Sequence, residues 1–169
     1  MKSIAYYSTF QTALGRFSVA TDEVGAVLAT AFGDLERLRE RLDAARLLPD
    51  EARTVTAREQ ICEYLAGLRS KFDLPLAAEG SDFQQRVWAE LCRIPRGETR
   101  SYGELARGLG SSARAVGRAN ATNPICLIVP CHRVIGADGS LTGFAFGERI
   151  KERLLTFEGA CGFHTALPA

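Results

Sequence analysis

The chain is 169 residues long, enough to bury one large core or two small ones. With 46% hydrophobic and 24% charged residues it has the balance of a globular protein, and no apolar run reaches the length of a membrane span. The net charge of +1 excludes a polycation or polyanion overall, but residues 81–169 carry 11 Lys and Arg against 8 Asp and Glu, whereas residues 1–80 carry 10 against 12.

In chain order, residues 4–10, 16–20 and 24–32 predict three strands, with turns at 12–15 and at Asp22-Glu23. Asp34 then caps a helix with Leu35, Leu38 and Leu42 on one face. Thr54 or Thr56 starts a second helix carrying Ile61, Leu65 and Leu68, which ends near residues 67–70. Residues 72–76 predict a further strand, cut by Pro75. Ala77-Ala78-Glu79-Gly80 is rich in small residues and coincides with the change of charge sign, so a boundary is expected between domains 1–78 and 79–169.

The second part opens with Ser81 capping a helix in which Phe83, Val87, Leu91 and Ile94 fall at helical spacing beside Trp88. Ser101-Tyr102-Gly103-Glu104 is a capping-box pattern for a short helix running to about Leu109. Gly110-Ser111-Ser112 breaks and recaps the chain, and Ala113 to Ala121 forms the next helix, ended by Asn123-Pro124. Helix, short turn, helix is either an ordinary hairpin or the arrangement that presents a second helix to DNA. Six arginines against Glu98 and Glu104 in residues 93–118 are compatible with both. The apolar run 125–129 predicts a buried strand, Ala137-Asp138-Gly139-Ser140 a hairpin-type turn, 141–147 a glycine-rich loop, and Glu148–Phe157 a final helix.

The five cysteines are an odd number without regular spacing, so no disulfide framework is implied and a reducing compartment is expected. Cys62, Cys92 and Cys126 sit on apolar patterns and read as small hydrophobes. Cys126, Cys131, His132 and His164 lack the spacing of a zinc site, so neither metal nor cofactor is expected. Residues 1–15 hold too short an apolar stretch for a secretory signal, which predicts a cytoplasmic protein, and a monomer is the default.

One cysteine differs from the others. Pro130-Cys131-His132-Arg133 sets a nucleophile type beside a base type at the end of the apolar run, in a chain with only two histidines. This segment, with Asn123-Pro124 before it and Val134-Ile135-Gly136 after it, resembles the active-site signature of the O6-alkylguanine-DNA alkyltransferases. Asp82-Phe83-Gln84-Gln85-Arg86-Val87-Trp88, Gly97-Glu98-Thr99-Arg100-Ser101-Tyr102, and Lys151 through Glu158-Gly159 resemble the same family in order and spacing. The likeness is specific over about residues 81–160 and loose before residue 80.

The resemblance implies an α+β fold of two small domains: a ribonuclease-H-like α/β domain first, then a helix-turn-helix (winged-helix-like) domain holding the cysteine. It implies direct reversal of DNA damage, in which Cys131 takes the alkyl group from O6-alkylguanine, and from O4-alkylthymine, in one irreversible step. His132 would remove the thiol proton through a water, Glu158 would hold the imidazole, Tyr102 would protonate the leaving guanine, and Asn123 would brace the active-site turn. Adjacent side chains on extended backbone diverge, which favours a water between Cys131 and His132. Val134, Phe144, Ala145, Phe146 and Lys151 would line the pocket, with the carbonyls of Cys131 and Val134 reading the guanine amino group. Arg114 would hold open the gap left by the extruded base, and Ala113, Ala115, Gly117, Arg118 and Ser101 would approach double-stranded DNA in its minor groove.

The sequence departs from the family pattern in places. Phe144 stands where a tyrosine is usual and Phe146 where a small residue is common, which predicts a narrow pocket. Arg96 replaces a usual aromatic residue. Two other readings compete: a lesion-binding sensor without chemistry, against which Cys131 argues, and a Cys-His hydrolase, which would leave the arginine-rich helix pair unexplained.

Overall fold

A computed structural model describes residues 3–43 and 46–164. The chain divides into two units, Met1–Glu79 and Gly80–Ala169, each folded largely on itself.

The first unit is built on a mixed sheet of β1 (Ile4–Thr12), β2 (Gly15–Thr21), β3 (Val27–Phe32) and β4 (Arg46–Pro49), in the order β3-β2-β1-β4. The first three strands are antiparallel and β4 runs parallel to β1, a mixed sheet. Phe17 lies fully buried and meets Phe32 edge-on at 4.9 Å, and Val19, Val27, Ala29, Leu38, Ile61 and Tyr64 are buried in the same unit. The short helix α1 (Leu35–Arg39) is capped by Asp34, and α2 spans Glu51–Leu65.

Several local expectations for this unit are corrected. β3 begins at Val27 rather than residue 24: Asp22 Oδ1 accepts from the backbone of Val24 and Ala26, and this turn leaves Val24 87% exposed. Helix α1 stops before Leu42, and Leu68 lies beyond the end of α2, 80% exposed. Helix α2 starts at Asp50, whose side chain accepts from Arg53 N, and not at a threonine. Thr54 is a buried interior residue that bonds its hydroxyl to Asp50 O at 2.8 Å and to Ser8 Oγ at 2.9 Å, so its hydroxyl does not open the helix. Residues 72–76 contribute only an isolated bridge of Leu76 to Val27, since Pro75 has no N–H to donate. Strand β4 lies outside the expected elements. It is four residues long and ends in proline, which only the edge position it occupies tolerates.

The second unit contains α3 (Asp82–Cys92), α4 (Tyr102–Leu109), α5 (Ala113–Ala121) and α6 (Glu148–Phe157), with the two-residue strands β5 (Arg100–Ser101) and β6 (Val134–Ile135) paired in parallel. Ser81 and Ser101 close full capping boxes with Gln84 and Glu104, and Ser112 accepts from Ala115 N. Caps of this kind contribute about 1 kcal/mol each. Gly110, in the left-handed region at φ +64°, ends α4 and turns the chain into α5. Trp88 Nε1 donates to Ala119 O at 2.8 Å and locks α5 onto α3. No helix among the described residues is long and apolar enough to cross a membrane.

Candidate active site

The segment between α5 and β6 departs from expectation where it matters most. Residues 125–129 are buried but form no strand. Leu127 takes φ +72°, Ile128 N donates to Cys126 O and Val129 N to Ile125 O, so the run folds on itself instead of continuing as a strand. A short apolar run cannot by its periodicity distinguish a strand from a buried bend. Asn123 clamps the bend from both sides: its Oδ1 accepts from Ile125 N at 3.0 Å and its Nδ2 donates to Val129 O at 3.0 Å. Pro130, at φ −80° and ψ 66°, then makes an inverse γ-turn in which Cys131 N reaches Val129 O at 2.8 Å.

Cys131, His132 and Arg133 form a single 3-10 turn. The backbone is therefore not extended here, and the divergence of neighbouring side chains expected of an extended chain does not apply. Cys131 is 6% exposed and His132 fully buried. His132 Nε2 lies 2.9 Å from Glu158 Oε1. Arg133 grips the same carboxylate twice, Nε to Oε1 at 3.0 Å and Nη2 to Oε2 at 2.8 Å, while its Nη1 donates to Ile94 O at 2.7 Å just past the end of α3. Burial by itself raises the Glu158 pKa, but hydrogen bonds from His132 and Arg133 outweigh it and hold the carboxyl far below its ordinary range.

An ionised carboxylate can only accept, so Nε2 of His132 carries the ring proton. The second ring nitrogen, Nδ1, is then a bare lone pair, and it is buried without a protein hydrogen-bond partner. Burial lowers the His132 pKa, more than the glutamate raises it, and keeps the imidazole neutral. The arrangement supplies a neutral base of fixed tautomer on the residue next to a cysteine.

Lys151, on α6, is fully buried and donates from Nζ to Val134 O at 2.6 Å and Thr142 O at 3.2 Å. Burial brings its pKa down to about 8, against the pull of negative charge on Cys131. Tyr102, half-buried at the first turn of α4, donates from its hydroxyl to Thr142 O at 3.2 Å. Burial, then the charge of Cys131, raises its pKa, so the phenol stays a proton donor. Gly143 faces that hydroxyl: it sits at φ +82°, and a Cβ there would lie 3.2 Å from the Tyr102 oxygen. Cys131 O accepts from Val134 N and, at 3.3 Å, from Asn120 Nδ2, and Val134 O accepts from Lys151. Both carbonyls expected to read a base are thus engaged by the protein itself.

Phe144 and Phe146 are half-buried and meet edge-on at 5.6 Å, with Ala145 exposed next to them. On α5, Ala113, Arg114 and Arg118 are exposed. Ala115 and Gly117 are placed differently: Ala115 is half-buried, as is Gly117, which faces the Tyr102 ring, where a Cβ would lie 3.8 Å away. Ser101 serves α4 as its N-cap. Arg96 lies with its guanidinium 5.0 Å from the centre of the Phe157 ring, so it stacks as an aromatic residue would, next to Glu158.

Two site residues escape the sequence. Arg133 reads there only as part of a motif, yet its guanidinium binds the glutamate that orients the histidine. Asn120 is 4% exposed on the inner face of α5 and touches the Cys131 carbonyl. The one available signal is its place one turn after Val116, on the apolar stripe of the helix.

Residues 82–160 match the family described as 6-O-methylguanine DNA methyltransferase, DNA binding domain. A methylated-DNA–protein-cysteine methyltransferase of Methanosarcina acetivorans is 45% identical over 158 residues, spanning 92% of this chain and 99% of that one. Its counterpart in Mycobacterium tuberculosis is also 45% identical, over 157 residues, 90% of this chain and 92% of that one. This chain belongs to the methylated-DNA–protein-cysteine methyltransferase family.

The crystal structure of Mycobacterium tuberculosis OGT in complex with DNA matches at a TM-score of 0.81 and 42% identity, over 91% of this chain and 92% of that one. Both units therefore follow the alkyltransferase fold. Of the five free cysteines, Cys131 alone is followed by a histidine, and that histidine is held by a buried glutamate.

Proposed function

We propose that this protein repairs alkylated double-stranded DNA by taking the alkyl group of O6-alkylguanine onto Cys131, once per molecule. The observation that carries the reading is the bare, buried Nδ1 of His132, fixed in that tautomer by Glu158. The Cys131 thiol gives its proton, through a water, to Nδ1, and the thiolate attacks the alkyl carbon. A sulfur–carbon bond forms as the carbon–O6 bond breaks, and the electron pair passes into the purine ring. Tyr102 gives its hydroxyl proton to the ring, so guanine leaves neutral. Lys151, with its ammonium inside the pocket, favours the thiolate. The thioether has no route back to thiol, so the protein is consumed.

O6 cannot be reached in line within a stacked duplex, so the base must leave the helix. Arg114, exposed on α5, fills the gap, and Arg118 one turn later meets the phosphates. Asn123 holds the bend that presents Cys131. The protein works as a monomer in the reducing cytoplasm, with all five cysteines free.

The test is intact-protein mass spectrometry after incubation with a duplex holding one O6-methylguanine, followed by peptide mapping. The expected result is one added methyl group on Cys131, saturating at one per protein, with Cys131→Ala taking none and still binding DNA. Continuing turnover, or lesion binding without any mass change, overturns the reading.

A further inference from the structure

Asn120 is a buried amide that the chemistry above does not use. It lies on the inner face of α5, 4% exposed, one turn after the Gly117 position that packs on the Tyr102 ring. Its Nδ2 donates to Cys131 O at 3.3 Å, and a carbonyl can only accept, which fixes the orientation of the amide. That bond is long, and Cys131 O already has the Val134 N–H. Asn120 also pulls the Tyr102 pKa down, against the effect of burial, and Gly117, one turn before it on α5, faces the Tyr102 ring. The hydroxyl meanwhile donates to Thr142 O, leaving its oxygen lone pairs to receive a donor. One side chain therefore bonds the backbone of the nucleophile and lies within reach of the phenol, and a leucine of similar size would fill the space without donating to either.

We infer that Asn120 is a positioning residue that couples the proton donor to the nucleophile: its amide holds the Cys131 carbonyl in the free protein and gives its N–H to the Tyr102 oxygen as the phenol loses its proton. When the guanine amino group arrives at the Cys131 carbonyl, it takes the lone pair the amide occupied, and the released N–H turns to the oxygen on which negative charge grows. The balance of the reaction is unchanged: the Tyr102 O–H bond breaks, a ring N–H bond forms, and Asn120 keeps its own protons. The donor thus acts where charge develops, which makes it worth more in the transition state than in the resting protein.

The inference rests on the proposed alkyl transfer and on Tyr102 as its acid. Its test is a double-mutant cycle in single-turnover transfer from an O6-methylguanine duplex: wild type, Asn120→Leu, Tyr102→Phe and the double variant. A hydrogen bond to a charged oxygen predicts a slowing of about tenfold to a hundredfold for Asn120→Leu alone. In the Tyr102→Phe background the same change should cost less than about threefold, because the oxygen it serves is gone. Asn120→Asp, which keeps the shape and lacks the N–H donors, should be at least as slow as Asn120→Leu and guards against a variant of poor fold. Equal slowing in both backgrounds overturns the inference and reduces Asn120 to a prop for the turn; no slowing overturns it outright. A wild-type protein that takes no methyl group refutes the alkyl-transfer reading itself, and the inference with it.

Discussion

Replacing Arg133 by methionine tests the central electrostatic feature of the site. Arg133 is 8% exposed and Glu158 7%, and two hydrogen bonds of 3.0 and 2.8 Å join them. Removing one partner of a buried pair costs about 3–5 kcal/mol, because the remaining charge stays buried. Loss of the bond to Ile94 O, at 2.7 Å, leaves a buried carbonyl short of a donor and adds about 1 kcal/mol. The assay is urea unfolding at two pH values, read at constant m. In the wild type the folded pKa of Glu158 lies below its unfolded value, so its contribution to stability is present above about pH 4.3 and fades as pH falls toward the folded value. In the variant, burial acts without the guanidinium and the carboxyl pKa rises, so the variant loses stability as pH climbs. The gap between the two proteins should therefore be widest near pH 8 and narrow toward pH 5. Arg133→Met/Glu158→Leu should cost less than the two single changes added together. A cost below about 1 kcal/mol, the level of an exposed pair, or a gap that widens toward acid, refutes the reasoning.

Three further outcomes are expected. Because burial lowers the His132 pKa, transfer to Cys131 should keep its rate when pH is taken from 7.5 to 6, where an ordinary imidazole would be mostly protonated; a steep fall through pH 6.5 in quench-flow measurements would contradict a neutral buried base. Lys151→Met should lower the thiolate fraction of Cys131 at pH 7 and slow its reaction with iodoacetamide by about tenfold, the loss of one nearby charge, as followed by peptide mass spectrometry. Phe144 and Phe146 should make a benzylguanine probe label Cys131 far more slowly than methylated DNA does, and equal rates would show an open pocket.

The elements legible in the sequence are those with local signals. Ser81, Ser101 and Ser112 announce α3, α4 and α5 because a capping hydroxyl acts within three residues of itself. Strand β4 is hidden because its pairing partner lies some forty residues earlier, starting from Ile4, and nothing in Arg46-Leu47-Leu48-Pro49 alternates. The bend at 125–129 is hidden because all five residues are apolar, and the constraint that bends them is the side chain of Asn123, outside the run. At the site, the nearness of His132 to Glu158 comes from resemblance to a family, since no spacing rule joins residues so far apart. Arg133 and Asn120 stay hidden for a shared reason: a polar residue in a helix or beside a motif reads as solvated until its burial is known.

The pairing of β5 with β6 has a consequence for how the reaction geometry survives mutation. Ser101 directly precedes Tyr102, and Val134 directly follows the turn that begins at Cys131. The span from phenol to sulfur is thus ruled off by main-chain hydrogen bonds, which are the same for nearly every amino acid. The backbone bonds themselves do not depend on which side chains stand at positions 100, 101, 134 and 135, although Ser101 also caps α4 and Val134 and Ile135 are buried, and proline, which removes the donor itself, is the substitution the ruler does not survive. Tuning of the pocket for one adduct or another is therefore free to proceed in the loop around Phe144 and Phe146, while the backbone pairing keeps the spacing of acid and nucleophile.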